Sequence, residues 1–102
     1  MELQVDHQGD TAVLHLGGDL VAATAADLRP RLRALTQDGV RELVFDLAGT
    51  NMVDSSGIGL LMAAHNSMTR TGGTIRVIHA SPEIQELFQS MRLNQHFAVA
   101  EA

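Results

Sequence analysis

The residues best suited to chemistry are two serines that follow an acidic side chain in Asp54-Ser55-Ser56-Gly57-Ile58-Gly59. This segment lies between an apolar run typical of a strand and an apolar run typical of a helix. A phosphoserine at a helix start adds about −1.5 to −2 charges and three strong acceptor oxygens. The helix dipole favours such an anion, whereas Asp54 repels it. We interpret the segment as a phosphorylation switch that changes what the surface presents to a partner.

Two enzyme-like interpretations of this segment fail on residue spacing. A P-loop requires Lys and then Ser or Thr after its last glycine, but Gly59 is followed by Leu60 and Leu61. The dinucleotide-binding glycine pattern also fails in its spacing. A hydrolase elbow requires glycine two places before the serine, and those places hold Val53 and Asp54. The pattern therefore predicts a binding protein that is not an enzyme and needs no cofactor.

Composition restricts the remaining classes of function. The 102 residues suit one domain, placed at residues 1–102, and 45% hydrophobic with 19% charged residues is typical of a globular chain. A net charge of −5 argues against nucleic acid as a partner, since phosphate binding requires clustered Lys and Arg. Cysteine is absent and the five histidines are scattered, so no metal site is predicted. Without a signal peptide or a long apolar run, we expect a cytoplasmic protein with no membrane partner.

The elements that position the serines alternate in type along the chain. Two short strands around Gly9-Asp10 predict a hairpin, and Thr24, with Asp27 reaching back, predicts a helix start. Pro30 predicts a kink or an irregular first turn without loss of this helix. Strands are then predicted at residues 40–47, 74–79 and 97–99, and helices at residues 56–71 and after Ser81-Pro82. The order ββαβαβαβ predicts one α/β domain with a mixed sheet and helices packed against it.

The predicted helices assign roles to individual residues. Ser55 is the predicted N-cap of the second helix, and Ser56 is its first-turn residue. Gly57 and Gly59 weaken a helix, so they require close approach by a neighbouring element or a partner, or tight packing against the sheet. The third helix is predicted to carry an apolar stripe, formed by Ile84, Leu87, Phe88 and Met91. Four of the methionines are predicted to fill the core or an interface, namely Met52, Met62, Met68 and Met91.

Several of these segments resemble a known family. Phe45-Asp46-Leu47 and Val53-Asp54-Ser55-Ser56-Gly57-Ile58-Gly59-Leu60 are similar to the signature of bacterial STAS-domain anti-sigma factor antagonists. The same family pattern also includes Gly18-Asp19-Leu20, Gly72-Gly73, and Ser81-Pro82 with Leu87-Phe88. The resemblance therefore covers essentially the whole chain.

The resemblance implies a function. In that family, the serine after the aspartate is phosphorylated by a partner serine kinase that is also the anti-sigma factor. The unphosphorylated antagonist binds this kinase and frees the sigma factor, and a serine phosphatase resets the phosphorylated form. The resemblance thus implies Ser55 as the acceptor.

The resemblance also implies a partner-binding surface, made of Asp19, Asp54, Ser56, Gly57, Ile58 and Gly59. The chain departs from the family pattern at Val21, where antagonists commonly carry a second acidic residue. Some relatives switch regulators other than sigma factors. The alternative function is that of a STAS adaptor subunit in a transporter or lipid-trafficking assembly.

Overall fold

The computed structural model describes residues 2–100, in which strands and helices follow the predicted order. The strands are Leu3–Gln8 (β1), Thr11–Leu16 (β2), Glu42–Asp46 (β3), Thr74–Ile78 (β4) and Ala98–Val99 (β5). The helices are Ala22–Gln37 (α1), Ser55–Arg70 (α2) and Pro82–Ser90 (α3), and a short 3-10 helix, Leu93–Gln95, precedes β5. The α/β class and the order ββαβαβαβ are confirmed. The predicted domain also includes Met1, Glu101 and Ala102, which lie outside the described residues.

The five strands form one mixed sheet in the order β1-β2-β3-β4-β5. β1 and β2 are antiparallel and form the predicted hairpin, which turns through Gly9 at φ +60°. The other three pairings are parallel, because a helix connects each strand to the next. The carboxyl ends of β2, β3 and β4 therefore lie at one edge of the sheet. We call it the carboxyl edge, and it carries the loops that lead into all three helices.

The helices pack on one face of this sheet and bury a single apolar core. Alternate residues of the strands enter that core, for example Leu14 in β2 and Phe45 in β3, both fully buried. Residues from all three helices belong to the same cluster: Ala25, Leu28, Leu32, Leu60, Leu61, Ala64, Met68, Ile84 and Phe88. The intervening strand residues lie on the opposite face, here called the open face, and many of them are polar.

The start of α1 differs from its prediction. Val21, not Thr24, is the N-cap residue, and Thr24 lies in the first turn. The Thr24 hydroxyl accepts a hydrogen bond from the Val21 amide (2.9 Å) and lies 2.7 Å from the Asp19 carbonyl oxygen, to which it can donate. The predicted cap was wrong because Thr24 is already helical. From the first turn, its hydroxyl hydrogen-bonds the backbone that precedes the helix. The helix persists through Pro30, as predicted.

The start of α3 is as predicted, but its end is not. The Ser81 hydroxyl accepts a hydrogen bond from the Ile84 amide at 3.2 Å, and Pro82 is the first helical residue. The predicted stripe stops at Phe88, because α3 ends at Ser90 and Arg92 adopts φ +58°. Met91 is therefore 49% exposed, and its assignment to the apolar stripe was wrong.

Truncation of the α3 side chains tests this packing. We expect Phe88→Ala to lower the free energy of unfolding by about 3–5 kcal/mol, because Phe88 is fully buried in the core. Met91→Ala is the matched control and should change it by less than about 0.5 kcal/mol. Urea denaturation of both variants measures the difference, and equal losses would contradict the packing described for α3.

Candidate functional site

The start of α2 lies at the carboxyl edge and is capped by an aspartate. Asp54 has extended backbone angles (φ −100°, ψ −174°), and its Oδ1 atom accepts a hydrogen bond from the Gly57 amide at 3.0 Å. The prediction that Ser55 is the N-cap was therefore wrong. Aspartate and serine cap helices about equally well, and the backbone conformation at position 54 decides between them. Ser55 becomes the first helical residue, exposed, with its hydroxyl not engaged in capping.

The chain that leads into α2 is fastened to the chain that leads into α1. Leu20 and Val53 form a parallel bridge between the two loops. The Leu20 amide donates to the Met52 carbonyl at 2.9 Å, and the Asp54 amide donates to the Leu20 carbonyl at 3.2 Å. The two loops thus continue the parallel sheet beyond the ends of β2 and β3, and they hold the start of α2 in place.

Asp19 strengthens the same junction with its side chain. Its Oδ1 atom accepts hydrogen bonds from the amides of Asn51 (3.0 Å) and Met52 (3.1 Å). Close by, the Thr50 hydroxyl donates to the Gly18 carbonyl at 2.9 Å. The Asp19 carboxylate therefore organises the loop before the serines from within the domain.

The two glycines of α2 have different environments. A β-carbon on Gly57 would collide with the Leu20 carbonyl oxygen and approach the Val53 Cγ1 atom to 3.0 Å. Gly57 is therefore required by a neighbouring element, one of the reasons considered for it. Gly59 is exposed, and a β-carbon there would meet nothing within 4 Å of the described chain. The domain itself gives no reason for glycine at position 59.

The structure brings the sequence-predicted residues together at the carboxyl edge, at different depths. Ser55 and Gly59 are exposed, and Asp19, Asp54 and Ser56 are partly exposed. Gly57 and Ile58 are buried, where they support the turn from below. We use the name acceptor surface for the accessible residues around the serines, which are Met52, Asp54, Ser55, Ser56 and Gly59.

The sequence left Met52 between the core and an interface, and the structure places it on the surface. Met52 is 53% exposed beside the serines, whereas Met68 is fully buried and Met62 packs against the core. A large exposed apolar side chain next to a candidate modification site is a natural contact for a partner.

The charge of the acceptor surface is negative. Asp54 belongs to it and Asp19 lies beside it, while the salt bridges found within residues 2–100 join other side chains. In the same part of the chain, no three histidine or carboxylate side chains converge on a point that could hold a metal ion. None of the helices between residues 2 and 100 is long and apolar enough to cross a membrane.

The fold and this edge define a small α/β domain of a known class. The chain matches the family model described as "Mlab, STAS domain" over residues 3–100. It therefore belongs to the STAS domain family, and the resemblance drawn from its motifs is confirmed.

Known relatives carry regulatory names. The anti-sigma F factor antagonist of Lysinibacillus sphaericus is 27% identical over 81 residues, which cover 78% of this chain and 69% of that protein. The anti-sigma-B factor antagonist of Staphylococcus aureus is 27% identical over 74 residues, which cover 72% of this chain and 68% of that protein.

Solved structures share the fold at lower identity. The phosphorylated form of Bacillus SpoIIAA has a TM-score of 0.77 and 22% identity, and the match covers 97% of this chain and 91% of that one. An anti-sigma factor antagonist from Mycobacterium paratuberculosis has a TM-score of 0.87 and 20% identity, covering 99% and 86%. The murine anion transporter Slc26a9 has a TM-score of 0.75 and 17% identity, covering 92% of this chain but 16% of the transporter. At these identities, the likenesses show the fold alone.

Replacement of the capping residue tests the start of α2. We expect Asp54→Ala to lower the free energy of unfolding by about 0.5–2 kcal/mol, because the Gly57 amide loses its acceptor. Asp54→Asn retains a capping oxygen and serves as the matched control. Thermal denaturation of both variants provides the measurement, and an Asp54→Ala domain as stable as the parent would refute the cap.

The same substitution at the two glycines should have opposite effects. We expect Gly57→Ala to lower the free energy of unfolding by about 1–3 kcal/mol, because its methyl group collides with the Leu20 backbone. Gly59→Ala should raise it by about 0.5–1 kcal/mol, because alanine favours the helix and has open space. Urea denaturation compares them, and a shift in the same direction for both would contradict the two environments.

Proposed function

We propose that this protein is an anti-sigma factor antagonist that acts by partner switching, with Ser55 as its phosphorylated residue. In its unphosphorylated form it binds an anti-sigma factor serine kinase, and phosphorylation releases it. A serine phosphatase restores the binding form. The observation that carries the proposal is the exposed Ser55 on the first turn of α2, with helix capping assigned to Asp54 instead. The names of the relatives support the same role.

The position of Ser55 suits a phosphoryl acceptor. Its hydroxyl is accessible to a kinase, whereas Ser56, one place further, is partly buried. In the transfer, the Ser55 oxygen attacks the γ-phosphorus of ATP, the bond to the β-phosphate oxygen breaks, and ADP leaves. The hydroxyl proton passes to a base that the kinase supplies. This chain is the substrate of that reaction and not its catalyst.

A phosphate on Ser55 would change the surface more than the fold. The Ser55 hydroxyl takes no part in the Asp54 cap or in the Leu20–Val53 bridge. Both interactions therefore survive the modification. The first turn of a helix accommodates an anion through its dipole and free amides. Beside Asp54, however, the phosphate concentrates negative charge on the acceptor surface. A partner that docks there meets added charge and bulk, and its binding is lost.

The residues around Ser55 offer a suitable docking area. Met52 supplies an exposed apolar side chain on one side, and Gly59 presents bare helix backbone on the other. A glycine that weakens an exposed helix turn, without a packing reason inside the domain, is explained by close approach of a partner. Asp19, Gly57 and Ile58 act beneath this area by holding its shape.

The alternative function is that of a STAS adaptor in a larger transport assembly. A domain of this fold makes up a small part of the transporter Slc26a9, which is a likeness of fold and not of function. An adaptor would use the same acceptor surface without modification at Ser55. Both functions are those of a cytoplasmic, non-enzymatic binding module.

Phosphorylation and partner affinity test the proposed switch. Incubation with the partner kinase and ATP should place one phosphate on Ser55, located by mass spectrometry of proteolytic peptides. Ser55→Ala should abolish the phosphate and retain kinase binding, whereas Ser56→Ala, the matched control, should be phosphorylated normally. We expect Ser55→Asp to weaken kinase binding about tenfold or more, because an added carboxylate beside Asp54 creates like-charge repulsion.

Three outcomes would count against the switch. They are an unmodified chain after incubation, a phosphate on Ser56 alone, and equal kinase affinities for the Ser55→Ala and Ser55→Asp variants. Binding to a membrane transport complex that is insensitive to both Ser55 substitutions would favour the adaptor function instead.

A further inference from the structure

Four titratable side chains form a continuous hydrogen-bonded row across the open face. The row runs from Asp6 on β1 to His15 on β2, Asp46 at the end of β3 and His79 just after β4. His15 Nε2 lies 2.9 Å from Asp6 Oδ2, and His15 Nδ1 lies 2.7 Å from Asp46 Oδ2. His79 Nδ1 lies 2.8 Å from the other Asp46 oxygen. Carboxylates and imidazoles therefore alternate across four neighbouring strands.

The geometry around His15 requires a proton on each ring nitrogen. An ionised carboxylate only accepts hydrogen bonds, and both nitrogens of His15 face carboxylate oxygens. Neutral imidazole has one N–H group, so its other nitrogen would direct a lone pair at a carboxylate oxygen. The complete row thus exists only with His15 as the imidazolium cation. Loss of one proton breaks one of its two cross-strand bonds.

The two carboxylates that bond His15 favour its charged form: Asp6 faces it from β1 and Asp46 from β3. Glu2, from the chain before β1, lines the same depression. β2 itself contributes no other titratable residue. The hydrogen bond to Asp46, followed by the bond to Asp6, raises the pKa of His15 above its ordinary value of 6.5.

Asp46 connects His15 to the loop that leads to the acceptor surface. Asp46 is 8% exposed, and its Oδ1 atom accepts hydrogen bonds from the Ala48 amide (3.0 Å) and from His79. Burial raises the pKa of Asp46, but the bonds from Ala48, His79 and His15 outweigh it and leave the pKa below 3.8. His79 adopts φ +60° at its end of the row, a left-handed conformation in which histidine is more frequent than most residues. The Asp46 carboxylate therefore bonds both His15 and the first turn of the loop after β3.

We propose that His15 is a proton-dependent clasp. Its imidazolium joins β1 to β3 across β2 and completes the bonding of Asp46, which anchors the first turn of the loop towards α2. Deprotonation opens the clasp and loosens that anchor. The clasp couples the pH of the surroundings to the carboxyl edge, and it is independent of whether Ser55 is phosphorylated.

The direction of the pH effect follows from the two carboxylates and the imidazole. Folding raises the pKa of His15, so protonated His15 adds to the free energy of unfolding. This contribution is complete below pH 6.5 and is lost as the pH rises through the pKa of the folded state. Folding lowers the pKa of Asp46, so ionised Asp46 also adds to the free energy of unfolding; that contribution is complete above pH 3.8 and is lost as the pH falls through the pKa of the folded state. The clasp therefore stabilises most in the mildly acid range between these two ordinary values.

An NMR titration of the histidine ring protons tests the clasp directly. We expect a His15 midpoint above pH 6.5, and we expect the Ala48 amide to shift with the same midpoint. Asp6→Asn should lower that midpoint, because it replaces one carboxylate by a neutral amide. The Asp6 side chain is 61% exposed, so this variant preserves the fold. A His15 midpoint at or below 6.5, or an Ala48 amide that does not follow it, would overturn the proposal.

Thermal denaturation between pH 6 and pH 8.5 gives an independent measurement. The parent domain should lose melting temperature as pH rises, and His15→Gln should remove most of this dependence. His7→Gln is the matched control, because His7 is exposed on the same hairpin but points to the other face of β1. If the His15→Gln and His7→Gln variants keep the same pH dependence as the parent, the clasp is refuted.

Discussion

The geometry of the carboxyl edge depends on the close approach between the Leu20 backbone and Gly57. Only glycine leaves room for this contact, and the contact lets the loop before α1 run alongside the loop before α2. The backbone hydrogen bonds of that pair then fix Asp54 in the extended conformation from which it caps α2. The exposed position of Ser55 is the result of this sequence of constraints.

The sequence predicted most of the fold because its signals are local. Each signal depends on residues within a few positions of one another. This is true of the strand and helix patterns, of the Ser81 cap and of the segment Asp54-Ser55-Ser56-Gly57. The misassigned caps at Thr24 and Ser55 have one thing in common, since both helices begin earlier than the hydroxyl suggested: α1 is preceded by Val21 and α2 by Asp54. Backbone angles fix where each helix begins, and those angles depend on contacts with distant loops. Met91 was misplaced because the stripe does not reveal where the helix ends.

The row from Asp6 to His79 was beyond sequence reasoning for a different reason. Its bonded neighbours lie 9 to 33 positions apart along the chain, and they meet only through strand pairing. Scattered histidines carry no spacing signal of their own. The register of β1, β2 and β3 pairs His15 directly with Asp46 and places Asp6 on the same face as a diagonal neighbour. The sheet thus creates an electrostatic unit that no segment of the chain contains.

Asp54 caps α2, and the proposed phosphate acceptor is the next residue, Ser55. If Ser55 is that acceptor, helix initiation and phosphorylation depend on adjacent but separate side chains, and natural selection can change one without the other. A descendant that lost the Ser55 hydroxyl would keep its folded state and its docking area, and would become a constitutive binding module. A single framework can thereby yield both reversible switches and permanent adaptors.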